Sequence, residues 1–124
     1  MKKSDLWIYR ISTGLLTLLM GFSASMYFIK HEMVSETFEG LGFPTFIIYP
    51  LAIAKILGLI AIWTNKSKML KEWAYAGFFF NVSLAAGAHL NVSDGEFIPA
   101  LIGLTFVVTS YITYRRMTPV YNED

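Results

Sequence analysis

Four long apolar stretches, separated by short polar connections, constrain this chain more than any other feature of its 124 residues. They run from Leu6 to Ile29, Phe46 to Trp63, Trp73 to Leu90 and Phe97 to Tyr114. Each is close to the ~20 residues that an α-helix needs to cross the hydrocarbon of a bilayer. The other spanning design, a closed β-barrel, requires alternation of apolar and polar residues, which these stretches lack. The expected fold is all-α: a membrane-embedded four-helix bundle formed by residues 1–124 as a single transmembrane domain. Hydrophobic residues are 55% of the chain and charged residues 15%, a balance that disfavours a water-soluble fold. With a net charge of +1 and no dense basic face, nucleic acid is excluded as a partner. Cysteine is absent, so disulfides, thiolate catalysis and thiolate metal ligands are excluded as well.

The charged connections predict an orientation, because Lys and Arg near membrane-spanning ends stay in the cytoplasm. Lys2, Lys3 and Arg10 flank the first stretch, Lys66, Lys68 and Lys71 join the second to the third, and Arg115 and Arg116 follow the fourth. The opposite side has Lys30 against Glu32, Glu36, Glu39, Asp94 and Glu96. Both termini are therefore expected in the cytoplasm, with Trp7, Trp63, Trp73 and Tyr114 forming an aromatic belt at the inner boundary. Lys2, Lys3 and Ser23-Ala24-Ser25 resemble parts of a signal peptide, but the apolar stretch continues through Met26-Tyr27-Phe28-Ile29, as a spanning helix would. In the first outer connection Val34, Phe38 and Leu41 recur at helical spacing, predicting a short interfacial helix that ends within Gly40-Leu41-Gly42-Phe43-Pro44.

Small residues fall in stripes: Gly14, Thr17, Gly21 and Ser25 on the first helix, and Ala74, Gly77, Asn81, Ala85 and Ala88 on the third. Lipid supplies no hydrophobic drive between helices, so these faces are expected to turn inward, with two compatible readings: close packing of the helices, or a polar cavity lined by the same faces. Lys55 is the candidate site residue. It sits near the middle of its helix, where a charged side chain costs ~2.5–3.5 kcal/mol on insertion scales. Asn81 and Thr17 are placed at its level, with Thr105 and Thr109 near it and no carboxylate there. His89 lies toward the outer end of the third helix, within expected reach of Glu32 or Asp94. Lys55, Asn81, Thr17 and His89 are thus the candidate ligand-binding residues, lining an interior cavity open toward the outer leaflet. No metal site is expected, since His31 is the only second imidazole and no paired ligand spacing occurs. Arg10 is read as an anchor at the inner headgroups. No phosphate loop, Ser/His/Asp set or dinucleotide fingerprint is present, and catalytic residues are not assigned.

Several segments together resemble the DoxX-like membrane proteins. They are Arg10-Ile11-Ser12-Thr13-Gly14-Leu15-Leu16, Phe38-Glu39-Gly40-Leu41-Gly42-Phe43-Pro44, Tyr49-Pro50-Leu51-Ala52-Ile53-Ala54-Lys55-Ile56-Leu57-Gly58, and Glu72-Trp73-Ala74-Tyr75-Ala76-Gly77-Phe78. The resemblance covers nearly the whole chain, including the lysine of helix two and, at His89, a histidine near the end of helix three. It implies a compact four-helix bundle in a bacterial cytoplasmic membrane. It further implies an association of the wider superfamily with quinone-linked oxidoreductase complexes, thiosulfate oxidation among them. No cofactor motif is evident, and quinone is the one cofactor the resemblance brings into play. The favoured function is a non-catalytic membrane subunit or binding protein with a polar interior around Lys55. The alternatives are a quinone-interacting subunit of a membrane oxidoreductase and a small transporter or channel. Expected partners are the lipid bilayer, subunits of a membrane redox complex, a small amphiphilic or anionic ligand, and further copies of the chain in a homo-oligomer.

Overall fold

The computed structural model describes residues 3–93 and 95–117. Lys2 and Asp94, both used in the charge argument, lie outside them. The described residues form helices α1 (Lys3–Ile29), α2 (His31–Leu41), α3 (Ile48–Thr64), α4 (Lys68–Val92) and α5 (Phe97–Met117). A single 3-10 turn, Thr45–Ile47, leads into α3. The fold is all-α.

Among the described residues three segments are long and apolar enough to cross a membrane: Lys3–Ile29, Thr45–Thr64 and Phe97–Met117. α4 has the length, at 25 residues. Its hydropathy is lowered by Asn81 and His89 and by the charged first turns that carry Lys68, Lys71 and Glu72.

Local chemistry sets the ends of these helices. α1 gives way to α2 at Lys30, whose N–H still bonds Met26 O at 2.8 Å while its own carbonyl accepts the Val34 N–H at 3.0 Å. The break is therefore one residue wide, and α2 starts earlier than the Val34-Phe38-Leu41 pattern required. α2 stops at a Schellman motif: Gly42 is left-handed (φ 87°), its N–H bonds Glu39 O, and the Phe43 N–H bonds Phe38 O. Phe38 and Phe43 close the motif edge to face at 5.9 Å. Pro50 and Pro99 both fall in the first turn of their helices, where no intrahelical N–H bond is lost. Ser67 caps α4 by accepting the Leu70 N–H at 3.2 Å.

α1 packs against α3 and α5, and α4 packs against the same two helices, so the four long helices close a ring around one core. That core holds Leu16, Met20, Ile62, Tyr75, Phe78, Val82, Val107 and Tyr114. A second cluster, Val34, Phe38 and Ile48, attaches α2 to the start of α3.

The expected packing of small faces is corrected. A Cβ built on Gly14, Gly21 or Gly77 would meet nothing within 4 Å. α1 instead turns Thr13, Leu16, Met20 and Ala24 inward. Large side chains set the helix spacing, and glycine is needed only where one of them presses on a neighbouring backbone. Those places are Gly58, whose Cβ would lie 2.8 Å from the Phe78 ring, and Gly103, whose Cβ would lie 2.9 Å from Leu19 and 3.2 Å from Val82. The aromatic belt is corrected at one position. Trp7, Trp63 and Trp73 are exposed, but Tyr114 is buried and stacks on Tyr75 at 5.8 Å.

Candidate functional site

Lys55 is drawn into the protein by its position on α3: it follows Ile48 and Ala52 and precedes Ile62 on the buried face of that helix. The residue is 5% exposed. Its Nζ donates to Ser23 Oγ on α1 at 2.6 Å and sits 4.0 Å from the centre of the Tyr27 ring, one turn further along the same helix. A hydroxyl oxygen and the negative face of a ring are favourable but uncharged partners for an ammonium. Among the described residues Lys55 forms no ion pair.

A cavity of about 540 Å³ lies beside Lys55. α1 contributes Met20, Ser23 and Tyr27 to it, α2 roofs it with Val34 and Phe38, and α4 presents Asn81 and His89. Three of the four candidate residues, Lys55, Asn81 and His89, therefore share one space. Glu96 also lines it; Glu32, one of the two acids expected near His89, does not, and Asp94, the other, lies outside the described residues. The small residues of α4 find their place here as well. Gly77, Asn81 and Ala85 border the cavity, so the stripe leaves room beside Lys55 and is not a helix-packing seam.

Thr17 does not line the cavity, and its expected level is corrected. Its hydroxyl donates to Thr13 O at 2.7 Å and accepts from Trp63 Nε1 at 2.8 Å. Thr17 is thus level with Trp63, eight residues and roughly 12 Å along α3 from Lys55 at 1.5 Å per residue. Moving six residues along α1 in the other direction reaches Ser23, which takes the place assigned to Thr17. Thr105 is exposed and bonds its own helix at Leu101 O, so it too lies apart from Lys55.

Ser23 and Tyr27 carry no sequence signal that marks them as site residues. Their four-residue spacing puts them on one face of α1, but only the register between α1 and α3 reveals which residues of α1 meet Lys55. His31 stacks on Tyr49 at 4.6 Å and takes no part in the cavity. Among the described residues no group of three or more His, Asp or Glu side chains could hold a metal ion.

A second buried lysine occupies the opposite, Lys- and Arg-rich end. Lys71, 3% exposed, donates to Asn65 Oδ1 and, at 3.0 Å, to Tyr9 Oη, with the Tyr114 ring 4.1 Å away. Next to it the hydroxyls of Tyr75, Ser110 and Thr13 form a buried chain with links of 2.7 and 2.6 Å. Tyr111 Oη donates to Glu72 Oε1 at 2.8 Å, and Arg115 pairs with the same oxygen at 3.3 Å. These contacts join α1, α4, α5 and the α3–α4 connection. None of these residues lines the Lys55 cavity, and with its ammonium and hydroxyl groups engaged within it this cluster is a clasp where the Lys55 region is an open site.

Neither a curated protein nor a solved structure matches the chain. The sequence model of the DoxX-like family matches residues 11–112, a stretch that contains Ser23, Tyr27, Lys55, Asn81 and His89 together and leaves out only the two ends. Helix content, the apolar segments and this match agree: the chain belongs to the DoxX-like family.

Proposed function

We propose that this protein is a multi-pass membrane protein of a bacterial cytoplasmic membrane that binds a small amphiphilic or anionic ligand in the cavity beside Lys55, without carrying out a reaction of its own. α4 is the fourth span in this reading. Its length supports that, and so does its packing between α3 and α5, two segments that are themselves apolar enough to cross. Both termini lie in the cytoplasm, a reading supported by the gathering of Lys66, Lys68, Arg115 and Arg116 at one end and of Glu32, Glu36 and Glu39 at the other.

The observation that carries the binding reading is the state of Lys55. A lysine buried within a spanning helix, held by one hydroxyl and one ring and facing open space, is arranged to meet an acceptor from outside the chain. A quinone-interacting subunit is the second reading. It is favoured by the pairing of an ammonium with the Asn81 amide, two donors suited to a carbonyl oxygen.

Purification of the full chain with its co-purifying small molecules, followed by mass spectrometry, tests the proposal. The wild type should retain a ligand that Lys55→Met loses while remaining folded. Equal retention by the two proteins would remove Lys55 from the site.

A further inference from the structure

The cavity walls and rim say more about the ligand than the donors do. Phe80 and Leu84 line the cavity and are nevertheless 68% and 62% exposed, so they stand at its rim on the outward face of α4. Gly77 borders the same opening one turn away, with no side chain to close it. Across the gap stand Ile47 and Leu51 of the segment leading through α3. With α4 read as the fourth span, a portal edged by Phe80, Leu84, Ile47 and Leu51 faces hydrocarbon rather than water. The polar groups lie within: Lys55, and the Asn81 amide, which makes no hydrogen bond among the described residues. Of the other titratable groups on the cavity, Tyr27 holds its ring against Lys55, and His89 and Glu96 stand where α4 gives way to α5.

We propose that the Lys55 cavity takes a single-chain fatty carboxylate directly from the bilayer, through the apolar opening between α3 and α4. The carboxylate lies on the Lys55 ammonium and the Asn81 amide, and the chain runs out past Phe80 and Leu84. An anionic head supplies the counter-charge that Ser23 and Tyr27 do not, and charge-assisted hydrogen bonds are the stronger kind. The volume of about 540 Å³ falls within the ~300–1,000 Å³ of small-molecule pockets and suits one acyl chain better than two. This inference rests on the reading of the cavity as a ligand site and narrows it to one chemical class.

The test uses the purified full chain and a photoactivatable palmitate analogue, with competition by palmitate, methyl palmitate, butyrate and phosphatidylglycerol. Palmitate should suppress labelling and the other three should not. Lys55→Met should lower labelling on the order of tenfold, as loss of a hydrogen bond to a charged group predicts. Gly77→Leu keeps the lysine and narrows the opening, so it should lower labelling too. Gly87→Leu, on the same helix with equal open space but away from the cavity, should leave labelling unchanged. Thermal unfolding of each variant separates a blocked site from a lost fold.

Competition by butyrate or by phosphatidylglycerol as strong as by palmitate would overturn the single-chain acid and leave the cavity a site for a different anion. Equal competition by methyl palmitate would overturn the charged head. Full labelling of Lys55→Met would overturn this inference and the binding reading together.

Discussion

The two buried lysines are alike in exposure and opposite in circumstance, and their replacement should separate them. Lys71 is spent within the protein: Asn65, Tyr9 and the Tyr114 ring all use it. Lys71→Met should therefore destabilise the fold by about 1–3 kcal/mol, the usual consequence of stranding buried hydrogen-bond partners. Lys55 has one hydrogen bond and an open space beside it. Lys55→Met, similar in length and uncharged, should leave thermal stability within ~1 kcal/mol of the wild type or raise it, since a charge without a counter-charge is costly to bury. Thermal unfolding in detergent decides this, and a larger loss for Lys55→Met than for Lys71→Met would reverse the assignment of site and clasp.

The glycines divide in a similar way. Gly58→Ala would drive a methyl group to 2.8 Å from the Phe78 ring, so a loss of about 1–3 kcal/mol is expected from overpacking. Gly14→Ala meets open space in mid-helix and should be neutral or stabilising by up to ~1 kcal/mol. Equal melting temperatures for these two variants would mean that Phe78 does not press on α3 as described.

At the scale of the elements, most of the fold was legible because hydrophobic length is written directly into the chain. The four long helices follow the four apolar stretches, and the end of α2 follows from Gly42, the residue able to take the left-handed turn. Gly42→Ala should accordingly cost about 1 kcal/mol through strain at φ 87°. Loosening of α2 would register as faster hydrogen exchange across His31–Leu41, and unchanged exchange there would show that the Schellman turn does not hold this helix.

The rotation and register of each helix were not legible. Small residues mark where a helix can approach another, but the large side chains of the core decide where it does. Gly14 and Gly21 consequently stand idle, while Gly103, which carried no signal beyond its composition, receives Leu19 and Val82. Register was lost for the same reason. Depth counted from helix ends put Thr17 beside Lys55, whereas the bond from Trp63 holds Thr17 near the far end of α3 and brings Ser23 to the lysine. Lys55, Asn81 and His89 could be found because polar residues in long apolar runs stand out. Ser23 and Tyr27 lie in a stretch where serine and tyrosine are unremarkable until α3 is laid against them.

For the whole molecule, the separation of charge between its two ends predicts its orientation. Reporter fusions at the N- and C-termini should report the cytoplasm, and fusions within Lys30–Thr45 the opposite side. An external C-terminus would contradict the orientation, and if the N-terminus were internal it would contradict the count of four crossings as well, since an even number returns the chain to the side where it began. The layer formed by Leu16, Phe78 and Val107 has its own consequence at this scale. It lies between the Lys55 cavity and the Lys71 clasp, with Thr13 and Tyr75 on one side and Met20 and Val82 on the other, and each of its side chains is buried. Such a layer, close-packed like a protein interior, is expected to act as an electrical insulator: among the described residues no side-chain hydrogen bond links the Thr13, Tyr75 and Ser110 hydroxyls of the clasp to the cavity. Vesicles containing the protein should hold an imposed proton gradient as long as protein-free vesicles do, even though two buried ammonium groups sit on either side of a barrier only a few side chains thick.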